Sequence, residues 1–156
     1  MHFHVAAIGQ RVPRWVDDAW QDYARRFPRA PRIELKALPA EKRHGGADLS
    51  RIVPREGARL LAAVPDAACM IALDERGRQW STKQLAAKVE RWMAGGRDVW
   101  FLIGGADGLS ADCLEQAENS WSLGRLTLPH ALVRVVLIEQ LYRALSLVSG
   151  HPYHRE

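Results

Sequence analysis

The strongest constraint on this chain lies in residues 120–147, SWSLGRLTLPHALVRVVLIEQLYRALSL, where a polar loop passes into an apolar triplet and then a long helical run. Leu126, Thr127 and Leu128 have strand character, and Pro129, with no N–H and a fixed φ, breaks whatever precedes it. A helix therefore starts near His130. From residue 131 to residue 148 apolar side chains fall on nearly every face, leaving Arg134, Glu139, Gln140 and Arg143 to meet water. A helix so apolar is buried on most sides, by its own domain and by a second subunit. The charges of Arg134 and Glu139 interrupt the run, so a membrane span fits less well.

The rest of the chain alternates. Phe3–Ile8 reads as a buried strand ended by Gly9, and Trp15, Val16, Ala19, Trp20, Tyr23 and Ala24 then recur at helical spacing until Pro28 and Pro31. Ile33, Leu35 and Ala37 alternate with Glu34 and Lys36, the period of a strand with one wet face. Residues 42–47, basic and glycine-bearing, read as an exposed, mobile loop. Asp48 caps a helix through Ile52 and Leu60, although Pro54 is awkward inside it. Residues 67–73 form a continuous apolar strand, and residues 74–79 a turn containing Gly77. Ser81 and Gln84 make a capping box before a helix that Gly95 and Gly96 end. Val99–Ile103 is the next buried strand, followed by Gly104-Gly105-Ala106-Asp107-Gly108 and a helix opened by Ser110. Such alternation predicts an α/β fold, a mostly parallel sheet with helices on both faces.

At 156 residues the chain suits one domain that buries about two-thirds of its unfolded surface without staples. Cys69 and Cys113 stand in no metal or redox pattern and read as reduced cysteines of a cytoplasmic protein. No secretory signal is visible at the start. The net charge is +4, and the first 60 residues hold 12 of the 22 basic side chains but 7 of the 18 acidic ones. That basic third, with Arg25, Arg26, Arg29, Arg32, Lys42 and Arg43, is what a polyanion would meet; a solvated surface explains it equally well.

In an open α/β sheet ligands bind beyond the carboxyl ends of the strands, which directs attention to the loops after Leu73, Ile103 and Leu128. Gly104, Gly105 and Gly108 would let backbone approach a ligand, but a tight strand-to-helix turn explains a lone glycine cluster more simply. The cluster is neither a P-loop nor G-x-G-x-x-G. His130, His151 and His154 would make an incomplete metal set, with no Asp, Glu or Cys nearby to complete it, so no metal is expected. As acids, bases or phosphate partners they need less company. Glu139 and Arg143 are an i,i+4 helix pair.

Four motifs together are more specific. I103-G-G-A-D-G-L-S, S120-W-S-L-G-R-L-T-L-P-H, R134-V-V-L-I-E-Q-L-Y-R-A and the terminal H151-P-Y-H-R-E, with RRFP at residues 25–28 and LPAEKR at residues 38–43, closely resemble the bacterial large-subunit ribosomal RNA methyltransferase H family of the SPOUT superfamily. The resemblance spans essentially the whole chain. It implies a SPOUT-type α/β knot, with the C-terminal segment threaded through an earlier loop, in a single domain over residues 1–156. It also implies a homodimer, S-adenosylmethionine as cofactor, and methylation of N3 of a pseudouridine in 23S rRNA within the ribosome.

Carried over by position, the resemblance implies cofactor contacts from Leu73, Gly104, Leu123, Gly124, Arg125, Leu126, Thr127 and Leu128. Gly124 stands where a serine is expected, so only backbone contacts carry over there. Tyr153 and His154 are expected to place the target base, with His130 or His154 assisting its deprotonation. Arg25, Arg26, Lys42, Arg43, Arg134, Arg143 and Arg155 are candidate rRNA contacts, the last three for phosphates or the tail carboxylate. A non-catalytic RNA-binding protein of the same fold is the alternative, separated by whether S-adenosylmethionine binds.

Overall fold

A computed structural model of the chain describes residues 1–155. In order, the elements are β1 (Phe3–Ile8), α1 (Arg14–Ala24), β2 (Ile33–Leu38), α2 (Leu49–Ala63), β3 (Cys69–Gln79), α3 (Thr82–Gly95), β4 (Val99–Ile103), α4 (Ala111–Gln116), β5 (Asn119–Ser122) and α5 (His130–Ser149), with a 3-10 turn at Pro152–Arg155. Five strands pair in the order β2-β1-β4-β3-β5, every pairing parallel. Two dry layers explain why β4 is apolar throughout and β1 apolar but for His4. Phe3, Val5, Phe101 and Ile103 pack with Trp20, Leu85, Leu137 and Leu141 of α1, α3 and α5. Ala6, Ile8, Trp100 and Leu102 pack on the other side with Leu60 of α2 and Cys113 of α4. A strand buried on both faces cannot alternate, so the helices on both sides follow from the strand sequences.

Local signals place most boundaries. The Ser81–Gln84 capping box forms in both directions, and Gly96 closes α3 at φ 74°. The side chain of Asp48 accepts from the Ser50 amide to start α2, which then runs unbroken through Pro54. Pro54 lies in the second turn and is exposed, so the backbone acceptor it leaves unmatched meets water.

Three expectations change. The turn expected at residues 74–79 is a continuation of β3, irregular between Leu73 and Arg78, where both pair with Trp121 of β5. The triplet Leu126–Thr127–Leu128 is not a strand; the edge beside β3 is taken by Asn119–Ser122, and Leu126 is 80% exposed. The four residues between Gly124 and Pro129 are too few to displace a pairing that β5 already satisfies. Third, Arg134 does not meet water. It is 1% exposed, and its guanidinium donates to the carbonyls of Ile8 and Gly9 at the end of β1. Among the described residues no helix is long and apolar enough to cross a membrane.

Candidate cofactor cleft

The carboxyl ends of β3, β4 and β5 open onto one cleft of about 900 Å³. Its walls are Leu73 and the irregular start of the β3 extension, the glycine loop after Ile103, and the segment from Leu123 into His130 and Val133. The glycine loop is both a tight turn and a wall. A Cβ on Gly104 would lie 2.4 Å from the Gly108 carbonyl carbon, so only glycine lets the loop fold back on itself, closed by the Gly108 amide on the Gly105 carbonyl at 3.1 Å. The tight-turn reading of the cluster therefore holds, and the same turn lines the cleft.

The loop is fixed from behind by charge. Arg43 donates to both oxygens of Glu56 at 2.7 and 2.9 Å, and its Nε donates to Asp107 in the glycine loop at 2.7 Å. Glu56, 1% exposed, also accepts from the Glu41 amide at 3.0 Å. The carboxylates hold the Arg43 guanidinium's pKa well above its ordinary value. Arg43 thus leaves the expected rRNA surface and ties residues 41–43 to α2 and the cleft wall. The loop drawn from composition as mobile is anchored there, because two carboxylates distant in sequence converge on one guanidinium.

Leu73, Gly104, Leu123, Gly124, Leu126, Thr127 and Leu128 all line the cleft, whereas Arg125 does not. Within this segment the Ser122 hydroxyl donates to the Gly124 carbonyl at 2.8 Å and accepts its amide at 3.2 Å, so the expected serine's neighbour holds the backbone in place. Thr127 donates to Glu75 at 3.4 Å across the mouth. The lining carries three carboxylates, Asp74, Glu75 and Asp107, against one permanent cation, Arg76, which pairs with Asp74 at 3.1 Å. Burial pushes the Asp74 carboxyl up, but hydrogen bonds from Arg76 outweigh it and hold the pKa below the ordinary value. An apolar slot with exposed backbone and a slightly acidic rim suits a flat ring attached to a cationic centre, and offers a polyphosphate nothing.

His130 opens α5 at the cleft, and its Nδ1 is buried without a partner among the described residues. Burial, then the charges of Arg134 and Arg43, push its pKa down against the opposing pull of Glu56. The imidazole is therefore kept neutral, as a proton acceptor must be.

The tail is elsewhere. Tyr153 packs edge-on to Tyr142 of α5 at 4.7 Å, bonds the Tyr23 hydroxyl of α1 at 3.1 Å and reaches Glu139 at 3.3 Å. Burial, the Tyr23 hydrogen bond and Glu139 all raise its phenol pKa, so it stays protonated. Arg143 pairs with Glu139 at 2.6 Å and covers the Tyr153 ring at 5.0 Å; Arg26 pairs with Asp22 at 2.8 Å and lies over Tyr23 at 4.6 Å. His154 is half-buried with its Nδ1 unpartnered among the described residues, while Arg155, Arg25 and Lys42 are exposed. None of these lines the cleft, so one protomer does not bring His130 and the tail together. The terminal carboxylate, on Glu156, lies outside the described residues. Sequence reasoning passed over Glu56, Asp107 and Trp121, none of which carries a local pattern that marks it.

Comparison with known proteins agrees with this geometry. The family model described as predicted SPOUT methyltransferase matches residues 1–154. Ribosomal RNA large subunit methyltransferase H of Thioalkalivibrio sulfidiphilus is 50% identical and that of Laribacter hongkongensis 49%, each over 100% of both chains. Among solved structures, a methylase family protein from Haemophilus influenzae Rd KW20 superposes with TM-score 0.59 at 13% identity, over 97% of this chain and 69% of that one. A Legionella pneumophila methyltransferase solved with its cofactor SAM gives TM-score 0.52 at 11% identity, over 92% and 66%. At those identities the solved structures speak for the fold, and the full-length relatives for the family. The chain therefore belongs to the SPOUT methyltransferases and, within them, to the ribosomal RNA large subunit methyltransferase H family.

Proposed function

We propose that this chain, acting as a single methyltransferase domain in the cytoplasm, transfers a methyl group from S-adenosylmethionine to N3 of a pseudouridine in 23S rRNA, within the ribosome. The observation that carries the reading is the cleft itself, because its donors suit the cofactor's parts. Leu73, Leu123, Leu126 and Leu128 offer apolar contact to adenine, the glycine loop and residues 123–128 offer backbone groups to its edge, and Glu75 offers a carboxylate to the sulfonium or the amine. When bound, the cofactor supplies an electrophilic methyl group. The chain's own task is to hold the nitrogen in line and take the imide proton, and such positioning contributes several kcal/mol to lowering a barrier. His130 accepts that proton in this reading, which its lowered pKa and its position in the cleft lining support.

The protein acts as a homodimer, with the C-terminal segment threaded in the SPOUT manner. Leu132, Val136, Arg143 and Leu147 recur along one side of α5, and each is only half-buried by its own chain, which supports a second subunit there. Tyr153, His154 and Arg155 then serve the partner's cleft, which accounts for their distance from their own. Cys69 and Cys113, both unbridged, suit a reducing compartment.

The deciding experiment is mass spectrometry of rRNA from cells lacking the protein, where one methyl on a large-subunit pseudouridine is expected to be missing; full methylation would end the reading. Calorimetric titration with S-adenosylmethionine separates it from a non-catalytic RNA-binding role. Single-turnover methylation is expected to slow sharply in His130→Ala or His154→Ala, and parental rates in both would remove histidine base catalysis.

A further inference from the structure

The basic residues of the first third are largely matched by acids. Asp22 meets Arg25 and Arg26, Glu34 meets Arg32, Glu41 meets Arg59, and Glu56 holds Arg43. A second cationic cluster has no such match. Past its irregularity β3 runs on to deliver Arg78 beside Trp80, while α3 lays Gln84, Lys88 and Arg91 along one side, at i, i+4 and i+7, as Leu85 and Val89 face the core. These residues line a recess of about 330 Å³. Among the described residues Arg78, Lys88 and Arg91 have no carboxylate partner; the Arg91 Nε reaches the Ala87 carbonyl of its own helix at 3.4 Å. Burial, followed by the charges of Arg91 and Arg78, lowers the Lys88 ammonium pKa, as expected for cations gathered without a counter-ion.

The recess shares a wall with the cleft. Lys88 Nζ sits 4.2 Å from the centre of the Trp80 ring, and Trp80 stacks on Trp121 at 4.9 Å and 16°. Trp121 lines the cofactor cleft. A ring stacked on one face with an ammonium over it has both faces engaged, so it offers no platform for a base. What the recess presents is positive charge, one indole pair away from the site of methyl transfer.

We propose that Arg78, Lys88 and Arg91 form a phosphate-binding surface that grips the backbone of the rRNA substrate beside the cleft. The inference rests on the rRNA reading above and names where the chain holds that substrate: a surface from beyond residue 60, where 10 basic against 11 acidic side chains leave the overall charge balance slightly negative.

The test is equilibrium binding of full-length protein to protein-free 23S rRNA across a potassium chloride series, with R78A/K88A/R91A beside the parent and S-adenosylmethionine calorimetry as the check on folding. Each lost phosphate contact lowers the slope of log affinity against log salt by about 0.7 to 0.9, so the triple variant is expected to lose about two units of slope and roughly tenfold or more in affinity. Cofactor binding is expected to be unchanged. Parental slope and affinity in the triple variant would overturn the inference while leaving the proposed activity intact. Parental binding to free rRNA with weakened binding to ribosomal subunits would also overturn it, by assigning the recess to a ribosomal protein. Failure of the parent to methylate large-subunit rRNA would sink the proposed activity instead, with the binding series still deciding the recess.

Discussion

Glu56 reaches the interior with its charge already answered, by Arg43 from the loop and by the Glu41 amide. Truncating Arg43 to alanine leaves that carboxylate buried and uncompensated, a loss expected to cost about 3–5 kcal/mol in a urea titration. The same variant frees Asp107 and the glycine loop, so weaker S-adenosylmethionine binding is expected in calorimetry. His130 gives a prediction of opposite character. Its folded pKa is lowered from 6.5 by burial first and then by Arg134 and Arg43, so the unfolded chain takes up this proton at higher pH than the folded one. The contribution is complete above about pH 6.5 and is lost as pH falls from there through the folded value. Between about pH 8 and about pH 5.5 the parent is expected to lose more stability than His130→Gln. At this scale sequence is least informative. Arg134 and Arg43 read as wet cations, yet one bonds the end of β1 and the other links three segments, because their partners are brought by tertiary contact from 13 to 126 positions away.

Elements were more legible. The Ser81–Gln84 box, Gly96 and the Asp48 cap all act within a few residues of themselves, so their boundaries follow from local chemistry. Pro54 tests how far local chemistry goes. It sits inside α2 without breaking it, which means the helix tolerates an absent N–H and the associated crowding. Pro54→Ala is expected to stabilise the protein by about 2 kcal/mol, the gain in helix propensity less the greater entropy of the unfolded chain, readable as a raised urea midpoint. β5 and the β3 extension were misplaced for the converse reason. Asn119–Ser122 has little strand character of its own and becomes a strand because β3 presents an edge for it to pair with.

For the whole molecule, α5 is the element most exposed to test. It packs against α1 and α3, and its buried stripe of Leu137, Ile138, Leu141 and Leu145 belongs to its own chain. Half-buried Leu132, Val136 and Leu147 are left on another side. Val136→Glu is expected to weaken self-association by about 2 kcal/mol or more, roughly thirtyfold, seen by sedimentation as a shift toward monomer. An unchanged sedimentation profile would remove this side of α5 from the proposed dimer contact. The apolar strands, the capped helices between them and the four motifs determined by themselves the α/β class, the helices on both faces and the family. Periodicity and caps are local, and apolar runs have few places to go but a covered parallel sheet. Tertiary structure alone decided which segment pairs as the sheet's edge, which arginines are buried, that the glycine loop is held by Arg43, and that Arg78, Lys88 and Arg91 gather beside the cleft. Each of those depends on groups meeting across long stretches of chain, where burial and the partner at hand, rather than residue type, set what a charge does.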